Sequence, residues 1–356
     1  VEQDPKHTPA AFYLLRLLEG LSFEEKQQSE SWNLHASLQG TLDSMLSSSL
    51  PSSCCSDSDL TCSNNIHGEP AASNCYTGFK VPSANWKITR LDFPTDLEFD
   101  DFVRKREPFI ITGAGGHTNR KSFAKLGWKV EPWKNRQYLA RTAGEEVVWI
   151  ERKVGLLPFG FKSLKKETNF SFFLDLLETS SNEWYLNTQG QDGDYLSPPL
   201  TSLHQDLEFP PWLADRQLLA VNLWMGNAPN GSTSHLHHDN SDNLYLLIQG
   251  EKEFLIYSPA DALNLYPVGR IAHVSGNGST TYIEQPSGWG SEYPNHFSLL
   301  PTQYNGTDAQ HWAGLSQTMP AKVSLKEGEI LYLPSGWWHQ VTSYGPNLAV
   351  NFWWDP

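Results

Sequence analysis

At 356 residues the chain is long enough for one large domain with an appendage, or for two domains. Charged residues make up 19% and aromatics 12%, with 14 Trp and 23 Pro, which suits a β-rich globular enzyme with long loops and disfavours a helical bundle or a disordered chain. A net charge of −14 argues against nucleic acid or an anionic membrane as the main partner, since both call for a basic surface, and no apolar run approaches the roughly 20 residues of a membrane span.

Residues 1–50 carry apolar positions at helical spacing: Phe12, Leu15 and Leu18, then Leu34, Leu38, Leu42 and Met45. They predict a helical N-terminal arm, read as a cap on the main domain in preference to a partner-binding arm. Residues 51–85 are rich in Ser and Asn and hold Cys54, Cys55, Cys62 and Cys75, which reads as a linker or a disulfide-tied loop. No paired C-x-x-C occurs, so a zinc clip is disfavoured. Paired cysteines, with glycosylation sequons at Asn169, Asn230, Asn277 and Asn305, lean towards the secretory pathway and ER lumen; reduced thiols in the cytoplasm are the alternative. The chain begins with Val, so the lack of a visible signal peptide carries no weight.

Residues 86–356 read as the main domain. A helical pattern over 97–106 is followed by a strand at 108–114, a helix at 136–143, a strand at 146–151, a helix at 170–177 and a strand at 183–187. The core of the domain is dense in strands, over 218–259 and again over 320–356. Expected strands are 219–225, 234–239, 243–249 and 253–257, then 321–325, 330–333, 340–344 and 348–354. Between the two sets, 260–319 is a long insertion rich in Gly, Pro and Asn, a length of loop that is usually functional. Eight short strands closing around a cavity fit a double-stranded β-helix, the jelly roll of a cupin, with helical N-terminal additions.

The candidate chemistry centres on SHLHHDNSDNLYLLIQGEK. His237 and Asp239 stand two apart in a segment that reads as strand, so both side chains face one point. An imidazole and a carboxylate with a second His make the two-His-one-carboxylate set that suits Fe(II) with open positions, and His339 in YLPSGWWHQV is the best second His. By alternation His238 faces away while His235 faces with His237 and competes as a ligand; the remaining histidines read as surface or structural. Lys252, after the Gly-Glu turn, could grip one end of a dicarboxylate, with hydroxyls of Ser234 and Tyr185 beside it, or be an exposed turn lysine. Asn243 and Asn351 interrupt apolar strands, either as members of a structural network or as cofactor contacts.

Together, HxD followed by three residues and Asn, Lys in GEK, the LPSGWWH segment and the final VNFW strand resemble the jumonji-C, cupin-like hydroxylases dependent on Fe(II) and 2-oxoglutarate. The resemblance covers roughly residues 86–356; AVNLWMG and GEKEFLIYSP look most similar to the small lysyl-hydroxylase branch, also described as bifunctional peptidases, with an asparaginyl-hydroxylase branch more distant. It implies that His237, Asp239 and His339 bind iron and act as the catalytic centre. It implies that Lys252 pairs with the distal carboxylate of 2-oxoglutarate with Tyr185 and Ser234, and that Asn243, Tyr245 and Asn351 line the cosubstrate pocket. O₂ would be the oxidant, and a protein or peptide side chain, lysine by the charge balance, the substrate. Three departures stand out: His235 where relatives carry a small residue, a chain that stops at WWDP where relatives continue into a helical dimerisation segment, and no recognisable counterpart for the first 80 or so residues. A homodimer is therefore open. The alternative is a non-catalytic jumonji-C or cupin binding protein, against which the complete ligand set counts.

Overall fold

The computed structural model describes residues 72–112, 125–153, 164–179, 183–187, 195–283, 294–302, 309–310 and 312–356. The expected helical arm at 1–50, together with Cys54, Cys55 and Cys62, lies outside the described residues; Cys75 is exposed. In chain order the strands are β1 (Ser73–Asn74), β2 (Thr89–Asp92), β3 (Phe109–Thr112), β4 (Val147–Arg152), β5 (Leu164–Asn169), β6 (Trp184–Asn187) and β7 (Leu218–Thr233). They continue with β8 (Asp242–Tyr257), β9 (Ile271–Val274), β10 (Thr280–Tyr282), β11 (Ala321–Lys326), β12 (Ile330–Leu333) and β13 (Trp338–Trp354). Helices α1 (Asp96–Lys105), α2 (Arg136–Ala143), α3 (Phe170–Thr179) and α4 (Leu200–Leu203) all precede β7.

The main sheet runs β2-β3-β12-β8-β13-β7-β6-β4-β5, with β11 added alongside β8. The strands expected as separate short pieces at 219–225, 243–249, 253–257, 340–344 and 348–354 belong to three long strands, β7, β8 and β13, that bend instead of stopping. β8 pairs with β12 through 243–246 and with β11 through 251–256, on either side of Gly250. Gly250 has φ +93, and a Cβ there would lie 2.6 Å from the Pro346 carbonyl oxygen, so the two bends can cross only at a glycine. β13 turns its own corner at that point, where its register with β8 shifts between Tyr344 and Leu348. Each long strand thus serves two opposed layers, and the domain is a cupin jelly roll.

Alternation along β8 divides the apolar side chains. Leu244, Leu246 and Ile248 pack outward onto a core shared with Phe99, Leu139, Phe173 and Tyr332. Tyr245, Leu247, Phe254 and Ile256 point between the layers with Leu331, Leu333 and Ala349. Both faces are covered, which is why NLYLLI reads as a continuous apolar run. Each such side chain removed from water contributes about 1.5–3 kcal/mol. The 260–319 region, expected to lack regular structure, carries β9, β10 and a core of its own in which Leu265, Ile271, Phe297 and Trp312 pack against Tyr257 and Trp338. The described end of the expected linker is part of this assembly too: β1 pairs in parallel with β9, and Tyr76 and Val81 are buried.

Candidate active site

β7 ends at Thr233, and the segment from Ser234 to Asp239 is not the regular strand expected. It holds its place through isolated bridges: His237 N–H donates to the His339 carbonyl at 3.1 Å, and His339 N–H returns the bond at 2.6 Å. This reciprocal pair brings the two imidazoles to 4.3 Å between ring centres. His339 Nε2 lies 3.7 Å from Asp239 Oδ2, and ligand atoms of His237, Asp239 and His339 all fall within 4.8 Å of one another. The Nδ1–H of His237 donates to the His235 carbonyl at 2.7 Å, and that of His339 to the Trp337 carbonyl at 3.0 Å. Those bonds fix the tautomers and leave both Nε2 lone pairs available. Burial and the neighbouring His237 push His339 down to about 4, so it is neutral at pH 7. Burial opposes ionisation of Asp239, but His339 and His237 beside it hold its carboxyl below the usual range. Two imidazole nitrogens and one carboxylate, with no further ligand in the group among the described residues, fit Fe(II) with open coordination positions.

The triad lies in the wall of a cavity of about 340 Å³ that also takes in Tyr185, Ser234, Asn243, Tyr245, Lys252 and Asn351. Lys252 is not an exposed turn lysine. It is 1% exposed, carried inward by β8 just past the Gly250 bend. Its Nζ donates to Tyr185 Oη at 3.2 Å and lies 5.5 and 5.6 Å from the ring centres of Tyr185 and Tyr245. Burial alone pushes its pKa down from 10.5 to about 7. Among the described residues this ammonium is held by a phenol and two ring faces, which compensate it poorly, and an anion in the cavity would restore its charge. Asn351 takes hydrogen bonds from Trp224 Nε1 at 2.7 Å and Asn222 Nδ2 at 3.2 Å and gives one to Asn243 Oδ1 at 3.0 Å. It is a network member, and Asn243, its oxygen spent on Asn351, keeps its N–H groups for the cavity. Ser234 lines the cavity, but its Oγ accepts from Val341 N–H at 3.0 Å and donates to the His235 carbonyl at 3.3 Å, so in this state its hydroxyl serves the backbone.

Residues 94–356 match the family described as a cupin-like domain. The chain belongs to that family. Among similar members is the human bifunctional peptidase and (3S)-lysyl hydroxylase JMJD7, 28% identical over 283 residues, covering 74% of this chain and 82% of that protein. The lysine-specific demethylase JMJ31 of Arabidopsis thaliana is 32% identical over 156 residues, covering 44% of this chain and 24% of that one. JmjC domain-containing protein 4 of Schizosaccharomyces pombe is 31% identical over 228 residues, with 58% and 46% covered. The chain therefore spans most of the first relative and under half of the other two.

This cupin-like site also uses side chains that sequence reasoning set aside. His235, read as a competing ligand, is not in the triad: its Nε2–H donates to the Ser298 carbonyl, its Nδ1 accepts from Thr302 Oγ1 at 3.2 Å, and its ring stacks on Phe297. The irregular backbone at 234–239 breaks the alternation that predicted otherwise. His296, read as surface or structural, lines the cavity, because 296–298 runs beside 236–238 through His238 N–H to the His296 carbonyl (3.1 Å) and Ser298 N–H to the Leu236 carbonyl (2.9 Å). Glu151 of β4, 2% exposed, accepts from Asn187 and lies 3.9 Å from Lys165 Nζ in the same cavity wall. Nothing in the local pattern EVVWIE marks it as a site residue.

Proposed function

We propose that the chain is an Fe(II)- and 2-oxoglutarate-dependent oxygenase that hydroxylates a side chain of a protein or peptide, lysine being the favoured target. The observation that carries the reading is Lys252: a buried, under-compensated cation in the same cavity as an open two-His-one-carboxylate set. A metal site alone has many uses, whereas a metal site facing a buried lysine calls for a ligand with a chelating end and an anionic end. A five-carbon 2-oxo dicarboxylic acid is such a ligand. Bound there, iron and the 2-oxo acid supply O₂ activation coupled to oxidative decarboxylation to succinate and CO₂. His237, Asp239 and His339 would hold the metal, Lys252 and Tyr185 the distal carboxylate, and Asn243 the polar edge of the cosubstrate. Tyr245 supports Tyr185 through a hydrogen bond between their hydroxyls, and Trp224 and Phe254 keep that wall dry.

The lysine preference rests on three supports. Relatives named for lysyl hydroxylation and for lysine demethylation both act on that residue type. The net charge of −14 favours a cationic substrate. Glu151 places a buried carboxylate in the cavity wall along with that of Asp239. The test is succinate formation from 2-oxoglutarate with Fe(II), O₂ and ascorbate for the wild type and His237→Ala, with and without a library of basic peptides read for a mass gain of one oxygen. Turnover that vanishes in the variant and rises with lysine-bearing peptides is expected. Equal turnover in the two proteins would remove the metal assignment, and iron binding without any turnover would favour a binding protein.

A further inference from the structure

A buried ion pair behind the metal site has no part in the chemistry proposed above. Arg106 closes α1 in the left-handed region, at φ 57, and its guanidinium is buried. It forks onto Asp242, with Nη1 to Oδ2 at 2.9 Å and Nη2 to Oδ1 at 2.6 Å; the two residues are 7% and 0% exposed. Asp242 opens β8, three positions after Asp239. Its Oδ1 also accepts the Ser335 N–H at 2.9 Å, and Ser335 is four positions before His339. One residue on, Gly336 N–H donates to the Asp239 carbonyl at 2.7 Å. A single carboxylate therefore ties the loop leaving Asp239 to the loop approaching His339, and Arg106 fixes the orientation of that carboxylate.

We propose that Arg106 and Asp242 are positioning residues: a clamp that holds the two ligand-bearing loops at metal-binding separation. A pair retained only for stability would be an odd choice, because buried ion pairs are commonly replaced by apolar pairs of similar volume without loss of stability. The bidentate fork suits a clamp, since it fixes the plane of the carboxylate and not merely its position. The inference rests on the reading of His237, Asp239 and His339 as metal ligands.

The test is Co(II) or Mn(II) affinity, together with the visible spectrum of the Co(II) form and the melting temperature of the apo protein. It compares the wild type, His237→Ala, and the double variant Arg106→Met with Asp242→Leu, which removes both charges at once. The double variant is expected to melt a few degrees below the wild type, since the buried Ser335 N–H loses its acceptor, yet to stay folded and bind Co(II) about tenfold or more weakly, with an altered spectrum, as happens when outer supports of metal ligands are lost. Restoring an uncharged acceptor for Ser335, as Arg106→Met with Asp242→Asn, is expected to recover part of the affinity. Wild-type affinity and spectrum in the leucine double variant would overturn the clamp and leave the metal site standing. No metal binding by the wild type beyond that of His237→Ala would overturn both. If the leucine double variant does not fold, Arg106→Lys carries the decision: it keeps the charge and loses the fork, so weaker metal binding at retained fold supports the clamp and unchanged binding refutes it.

Discussion

Replacing Lys252 by Met should stabilise the empty protein while abolishing its response to 2-oxoglutarate. Burial lowers the lysine from 10.5 to about 7. At about 1.4 kcal/mol for each tenfold, that corresponds to about 5 kcal/mol between a buried and a solvated ammonium. The folded chain binds fewer protons than the unfolded one between about pH 7 and pH 10.5, so wild-type stability rises with pH across that window and the penalty is fully present below it. Met fills the space of the stem without the charge and forfeits the 3.2 Å bond to Tyr185 Oη, a loss of about 1 kcal/mol, while Tyr245 still bonds that hydroxyl. A net gain of about 2–4 kcal/mol at pH 7 is expected, or roughly 3–7 °C in melting temperature for a domain of this size. Thermal unfolding of the apo proteins at pH 7 and pH 10 measures it, repeated anaerobically with Mn(II) and 2-oxoglutarate. The wild type should gain from the ligand and the variant should not, and the advantage of the variant should shrink at pH 10. A variant that melts below the wild type at pH 7 would refute the reasoning, because Lys252 would then be an ordinary core residue with an adequate partner.

Binding of the dicarboxylate should return Lys252 to its charged form, so titration calorimetry in buffers of different ionisation heat should show uptake of about one proton at pH 8.5 and about none below pH 6. Gly336 has φ +75, and a Cβ there would lie 1.9 Å from the Gly278 carbonyl oxygen. Gly336→Ala should therefore destabilise the fold by at least about 2 kcal/mol and weaken metal binding, read by urea unfolding and Co(II) titration. His235→Asn should lower stability by about 1–3 kcal/mol, through the bonds to Ser298 and Thr302, and leave Co(II) affinity within about threefold of wild type. A large loss of metal affinity in that variant would make His235 part of the metal site after all.

Local signals were legible where a cap or a run declared itself. α2 begins where Asn135 can accept from the N–H groups of Gln137 and Tyr138, and its observed bounds are those the sequence predicts. β12, four buried apolar residues between Glu329 and Pro334, is equally clear. Gly250 and Gly345 misled, because a glycine between apolar runs looks the same whether the chain reverses or bends from one layer into the next. β5 was missed because LKKETN is polar and almost wholly exposed, as an edge strand can be. In the site, i and i+2 spacing placed His237 with Asp239, and the same rule applied one step earlier failed for His235 once the backbone left the pleat. His296 and Glu151 were not legible at all, since each reaches the cavity through pairings between distant segments.

The arrangement of the long strands explains why the legible and illegible parts meet at one place. β13 carries His339 at its start and Asn351 near its end, on the two sides of its own bend. β8 carries Asn243 and Tyr245 before Gly250 and Lys252 after it. A flat sheet would spread these residues along two strands, whereas bending both strands at the same corner folds each back over a common space. The cavity then has the His237–Asp239–His339 triad and a buried lysine in its walls, with Asn243 and Asn351 bonded to each other between strands. The corner therefore does the positioning that no short motif could, and substitutions at Gly250 should disturb both ends of the site together. Gly250→Ala, with its Cβ 2.6 Å from the Pro346 carbonyl oxygen, should weaken Co(II) binding and the thermal response to 2-oxoglutarate in parallel. Loss of one with the other intact would show that the two ends are set independently, and that the shared bend is incidental to the site.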